Sequence, residues 1–220
     1  MIITIDGLGG TGKTSQAKTL AKKIGFKCFD TGAIYRAITL KLINEGIDPR
    51  NTEKLYEMLE SSKIILDNEK VFLDGIDVSE RIRKMDITVN SAYIATIKDI
   101  KKKVIEIQKS FGNKYDTVME GRDIGTRIFP NANVKFYLTA TPEVRAKRRF
   151  LEGKDNLTYE EILEKMKERD RIEITAKSII IPDDAVIIDT SNRSFEEVNS
   201  IMLKVTRQRI KCGERDLDMR

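Results

Sequence analysis

The chain has 220 residues, 40% hydrophobic and 34% charged, with a net charge of +5 and an isoelectric point near 9.0. This length suits one α/β domain carrying a small insertion, and the charge balance describes a soluble globular chain. It has no histidine, which excludes His-based triads and His-liganded metals but leaves phosphoryl transfer open, since that chemistry needs no histidine base.

The basic excess suits either a nucleic acid or a small polyanion. The lysines between Lys98 and Lys109, and those between Lys165 and Arg171, stand among acidic neighbours. Solvated helix faces account for them, and no nucleic-acid partner is expected. Cys28 and Cys212 lie far apart without a metal-ligand spacing, so neither is assigned a disulfide and a reducing compartment is expected. The first strand is expected to begin at residue 2, so no signal peptide is expected, and no apolar run approaches spanning length. A cytoplasmic monomer with no membrane partner is the expectation.

Ile2 to Ile5 reads as a short buried strand and Ser15 to Ile24 as a helix, stopped by Gly25. Between them stands Gly7-Leu8-Gly9-Gly10-Thr11-Gly12-Lys13-Thr14, which fits the Walker A pattern in its proper strand–loop–helix context. Such a loop turns backbone N–H groups onto a polyphosphate at a helix N-terminus, beside Ser15. Lys13 would reach the β/γ-phosphates and the Thr14 hydroxyl would face Mg²⁺. This is a nucleotide-phosphate site.

Phe26 to Phe29 reads as a second strand, ending at Asp30-Thr31-Gly32, followed by a helix through Ile34, Ile38 and Leu42 to Gly46. Ligands in open α/β sheets sit at the carboxyl ends of strands, so Thr31 and Arg36 are candidates to face an anion there. Asn51-Thr52 caps a short helix. Residues 63–66, 71–73 and 76–78 suggest three short strands in a meander, with turns at Asp67-Asn68 and Asp74-Gly75. Hairpins break the βαβ rhythm, so they read as part of an insertion. One long amphipathic helix is expected from Asn90 to Phe111, closed by Gly112.

Tyr115 to Met119 reads as a strand leading to Glu120-Gly121-Arg122-Asp123. An acid at the end of an apolar strand is what the Walker B role needs on the Mg²⁺ shell. Arg122 adds a fork that can hold phosphate bidentately. Val134 to Ala140 is a further strand, and Pro142 opens a helix bearing Arg145, Arg148 and Arg149. A loop, Glu152-Gly153-Lys154-Asp155-Asn156, follows and reads as a mobile lid bringing these cations onto transferring phosphates. Thr158 and Glu161 form a capping box for a helix to about Ile174 that carries Arg169 and Arg171. Ala185 to Asp189 is the last strand, and Ser194 with Glu197 caps the C-terminal helix, beyond which Gly213 to Arg220 reads as a short charged tail.

Strands alternating with helices predict an α/β P-loop fold of three layers: a parallel sheet covered on both faces, a small inserted β-meander domain and a helical lid. The core is expected at 1–61, 112–148 and 177–220, the monophosphate-binding insertion at 62–111 and the lid at 149–176. Asn113-Lys114-Tyr115-Asp116 has the letters of the GTPase guanine motif but precedes a strand instead of following one. It reads as a linker.

Several stretches together resemble the cytidylate kinase family of nucleoside monophosphate kinases. They are the P-loop, Asp30-Thr31-Gly32-Ala33-Ile34-Tyr35-Arg36, Gly121-Arg122-Asp123-Ile124-Gly125-Thr126 with Phe129-Pro130, and Glu168-Arg169-Asp170. The meander, with Ile76-Asp77-Val78-Ser79 and Ile82-Arg83, resembles the insertion that marks this family among its relatives. The resemblance implies transfer of the γ-phosphoryl group of ATP to CMP or dCMP with Mg²⁺. It places the acceptor-phosphate clamp on Arg36, Arg122 and Arg169, an acceptor-site hydroxyl on Thr31 with Tyr35 nearby, a cytosine contact on Asp123, and the adenine near Thr190-Ser191-Asn192. Catalysis then falls to Lys13, Arg122 and Arg169, metal binding to Thr14 and Glu120, and ATP binding to the loop from Gly7 to Ser15 with Arg145 and Arg149.

This sequence departs from the family's base-reading pattern. Lys101 stands where the family has an arginine, Ala92 where it has a serine (Ser91 is adjacent), Glu173 where it has an aspartate and Ala176 where it has an arginine. Two rival readings stay open: a kinase of another nucleotide or small metabolite, and a nucleic-acid-associated P-loop ATPase or nucleotide switch.

Overall fold

Isoleucines at 2, 3 and 5 with Thr4 favour the extended backbone of β1 (Ile2–Asp6), whose last four residues are all buried. In the computed structural model residues 1–67, 70–153 and 155–217 are described, without the side chains of Asp67 and of 211–217. Asn68 of the expected turn, Lys154 of the expected lid, the Cys212 thiol and the end of the charged tail lie outside the described residues.

After β1 come α1 (Lys13–Ile24), β2 (Lys27–Asp30), α2 (Thr31–Glu45) and α3 (Thr52–Ser61). The meander is β3 (Ile64–Asp67), β4 (Lys70–Leu73) and β5 (Ile76–Asp77), followed by a single 3₁₀ turn at Arg81–Arg83. Then follow α4 (Met85–Ile94), α5 (Lys98–Lys114), β6 (Thr117–Gly121), one turn of π-helix at Ile124–Ile128, and β7 (Val134–Thr139). The chain ends with α6 (Pro142–Leu151), α7 (Tyr159–Thr175), β8 (Val186–Asp189) and α8 (Phe195–Leu217).

Two compact units result. The first comprises Met1–Phe29, Gly112–Thr141 and Ile179–Arg220. Its five-stranded sheet has the order β2-β6-β1-β7-β8. β1 runs parallel to both β6 and β7, and β7 parallel to β8. β1 is central, and the chain leaves it toward β2 in one direction and later crosses to β7 in the other. Such a reversal opens a crevice at the carboxyl ends of the strands. The register sets Ile5 beside Glu120 and Asp6 beside Gly121, so the P-loop begins next to the end of β6. Ile3, Ile5, Leu20, Val118, Phe136, Leu138, Ile188 and Met202 fill the core, with α1 against β6 and α8 against α1 and β7.

The second unit comprises Asp30–Phe111 and Pro142–Ser178. Val71, Leu73 and Val78 of the antiparallel meander pack with Ala33, Ala37 and Leu40 of α2 and with Ile82 and Ile87. A second cluster joins Met85, Ala146, Ile162 and Met166 of α4, α6 and α7. Lys41 is buried on α2 and donates to Asp74 at 2.6 Å, whose carboxylate also accepts from Lys63 N–H at 2.8 Å. That pair fastens the meander to the helix.

Several expected boundaries move. The long helix from Asn90 is two helices, α4 and α5, broken at 95–97. Thr96 is the cause: its hydroxyl and its N–H both bond the Tyr93 carbonyl, and Ile97 N–H bonds Ile94, so tighter i,i+3 turns replace the α-helical ladder. Gly112 does not close α5, which runs on to Lys114. It is small for packing, since a Cβ there would stand 2.5 Å from the Phe129 ring. β6 starts at Thr117 and includes Glu120. The charged tail is helical as far as Leu217, as part of α8. Asp116 precedes β6, at the amino end of the sheet, where it pairs with the N-terminal ammonium of Met1.

Candidate functional site

In the first unit the sheet positions a phosphate cradle. β1 ends at Asp6, and Gly7 follows with φ 144° where a Cβ would meet the Leu138 carbonyl oxygen at 2.1 Å. Only glycine lets the loop leave the strand this close to β7. The loop closes on itself: the Thr11 hydroxyl and the Lys13 ammonium both donate to the Leu8 carbonyl, at 2.9 and 2.7 Å. Gly9 and Gly10 carry it between them, and Gly12 begins α1 with no side chain capping the helix. The first amides of α1, around Thr14 and Ser15, thus face outward from a helix start, the polarity that favours phosphate. The Thr190 hydroxyl donates to the carbonyls of Thr11 and Thr139 at 3.3 and 3.1 Å, pinning the loop to the end of β7.

The Thr14 hydroxyl donates to Glu120 Oε1 at 2.6 Å, and Glu120 is buried. One carboxylate and one hydroxyl, both oxygen donors, fit Mg²⁺, which keeps most of its ligands as water and phosphate. Among the described residues no cluster of three acidic, Cys or His side chains offers an all-protein cage.

Beyond β6, the Arg122 guanidinium donates to the Gly121 carbonyl at 3.3 Å, and Asp123 meets Arg127 at 3.4 Å. Asp6 was absent from the sequence expectations. It is fully buried and accepts from Ile124 and Gly125 N–H at 3.0 and 2.8 Å. Burial pushes its carboxyl up to about 6, against the two amides and Lys13, with Asp123 adding to the rise. A carboxylate immediately before the first P-loop glycine was the available signal.

In the second unit, α2 starts where β2 ends. Asp30 caps it by accepting from Ala33 N–H at 2.9 Å and pairs with Arg36 at 3.0 Å. Arg36 Nε is buried with no partner among the described residues. A buried guanidinium donor left open beside a helix start is a place for an anion. Thr31 is buried and Tyr35 half-buried on the same helix. Lys101 lies half-buried on α5.

Three arginines of α6 and α7, Arg145, Arg149 and Arg169, are engaged with carboxylates. Arg145, only 1% exposed, forms a fork to Asp170 at 3.1 and 2.6 Å, joining α6 to α7. Arg149 donates to Asp155 at 2.9 Å and to the Arg83 carbonyl, and Asp155 in turn accepts from Met85 N–H. Arg169 donates to Glu173 at 2.9 Å one turn on, and Glu173 is buried. Helical spacing showed the arginines; it could not show Asp170, which lies on another helix.

A parallel sheet whose central strand enters this loop, with a strand-end glutamate against the loop threonine, defines a P-loop kinase. Residues 3–208 match the sequence model of the family described as Cytidylate kinase. The chain belongs to the cytidylate kinase family. The cytidylate kinase of Caldanaerobacter subterraneus is 43% identical over 95% of this chain and 96% of its own length. That of Caldicellulosiruptor saccharolyticus is 40% identical over 92% of this chain and 94% of its own. A solved structure of an uncharacterized protein from Eubacterium ventriosum superposes with a TM-score of 0.53 at 14% identity, covering 94% of this chain and 98% of that one. At that identity the likeness shows the fold alone.

Proposed function

We propose that this chain transfers the γ-phosphoryl group of ATP to CMP or dCMP, giving ADP and the cytidine diphosphate, as a cytoplasmic monomer. The observation that carries the reading is the match to cytidylate kinases over 95% of the chain. When bound at Thr14 and Glu120, Mg²⁺ supplies charge neutralisation on the phosphates. None of the described helices is long and apolar enough to cross a membrane.

Catalysis is positional and electrostatic, with no covalent enzyme intermediate. The amides from Gly7 to Ser15 and the Lys13 ammonium hold the ATP phosphates. Arg36, Arg122 and Arg169 hold the acceptor phosphate, and the open Nε of Arg36 supports that assignment. Asp30 and Glu173 fix the guanidiniums of Arg36 and Arg169, so less rotamer freedom is lost on binding. Thr31 and Tyr35 line the acceptor site. Asp123 accepts from the cytosine amine, and Lys101 supplies a second polar contact to the base. Arg149 reaches the ATP phosphates by exchanging Asp155 for them, while Arg145, locked on Asp170, anchors the helix that presents Arg148 and Arg149.

The test is kcat/KM for CMP, dCMP, UMP and AMP with ATP, run beside ATP hydrolysis with RNA and DNA. CMP and dCMP should be the best acceptors, with nucleic acid without effect. A preference for UMP or AMP over both cytosine nucleotides would overturn the acceptor while leaving a nucleoside monophosphate kinase.

A further inference from the structure

An aspartate at the start of a helical turn ordinarily folds back and accepts from the turn's first amides. Asp123 starts the π-turn Ile124–Ile128, closed by Phe129 N–H on the Ile124 carbonyl at 2.8 Å, yet its side chain makes no capping bond. Asp6, from the end of β1, does the capping instead, one carboxylate oxygen to Ile124 N–H and the other to Gly125 N–H. The seat is tight. A Cβ on Gly125 would stand 2.7 Å from Thr4 Oγ1 and 3.3 Å from Asp6 Oδ2. Asp6 is fully buried, so water cannot replace either bond without opening the turn. π-turns collect at functional sites, and this one follows Arg122 and Asp123 directly.

We propose that Asp6 is a positioning residue for acceptor selection: by taking both amides, it keeps the Asp123 carboxylate, which meets Arg127 at 3.4 Å, out of the cap, so that it can also accept from the base. This rests on the assignment of Asp123 to the cytosine amine. A carboxylate turned onto its own backbone amides spends its lone pairs there and no longer distinguishes an amine from the carbonyl oxygen that uracil carries at the same place. Asparagine at position 6 keeps the shape but sets an NH₂ donor against an amide donor. One amide is released, and Asp123 is placed to take it.

The experiment measures kcat and KM for CMP and UMP at saturating ATP, and KM for ATP, in wild type, Asp6→Asn, Asp123→Asn and the double variant. Asp6→Asn should raise KM for CMP and erode the CMP/UMP ratio of kcat/KM by about tenfold each, with KM for ATP within about twofold of wild type. In the Asp123→Asn background the same substitution should leave the ratio unchanged. An unaltered ratio in Asp6→Asn, with the ratio eroded in Asp123→Asn, overturns the positioning role alone. Wild-type selectivity in Asp123→Asn overturns the reading of Asp123 and this proposal with it. Equal erosion in both backgrounds shows that Asp6 does not act through Asp123, and also overturns it. If Asp6→Asn does not fold, Gly125→Ala, which displaces the turn from Thr4 and Asp6, must erode the ratio in the same way; a wild-type ratio there overturns the proposal.

Discussion

The Thr14 hydroxyl and the Glu120 carboxylate meet at 2.6 Å across 106 residues of sequence, joining the first turn of α1 to the end of β6. Glu120→Gln keeps the shape and removes the charge that a hard cation needs. The variant should fold, lose roughly 10–100-fold in kcat at low Mg²⁺, and recover part of it at high Mg²⁺. A Mg²⁺ titration of the steady-state rate checks this; a wild-type curve would take Glu120 out of the metal site.

Arg145 and Asp170 form a buried fork. Removing one partner strands the other charge in an apolar interface, so Arg145→Met should cost about 3–5 kcal/mol in urea unfolding. Arg145→Met with Asp170→Leu should recover most of that loss, because no charge is left buried. A double variant as unstable as the single would show that the fork's worth is not electrostatic.

Asp6 carries a pH signature of its own. Its carboxyl titrates at about 6 in the fold against 3.8 ordinarily, chiefly because burial strips its hydration. Between those values the folded chain holds a proton that the unfolded chain has released. Its contribution therefore favours the fold below 3.8 and declines as pH rises to about 6, beyond which a cost of about 3 kcal/mol is fully present. Urea midpoints measured across that range should show this decline in the wild type and lack it in Asp6→Asn. Parallel curves would remove the burial argument.

Lys101 offers a mobile point charge where the sequence resemblance implies the planar fork of an arginine. Lys101→Arg should raise the CMP/UMP ratio of kcat/KM by several-fold, up to about tenfold, without changing KM for ATP. A ratio equal to wild type would exclude Lys101 from the base site.

The amino-acid sequence by itself determined the elements whose signals are local. The glycine loop with Lys13 and Thr14, the Thr158 and Ser194 capping boxes and the alternation of the meander each fit within a few residues. Backbone sterics, capping and side-chain period act over that distance. The Asp30 and Glu120 motifs were legible for the same reason, each sitting where an apolar strand ends.

Only the tertiary structure decided the strand order β2-β6-β1-β7-β8, the break at Thr96 and the reason for Gly112, which is the Phe129 ring. It also decided the partners: Asp6 with the amides of Ile124 and Gly125, Arg145 with Asp170, and Lys41 with Asp74. Those pairs join residues 25 to 119 positions apart. Local periodicity reports which face of an element is buried; which charge waits on the facing element depends on how the elements pack.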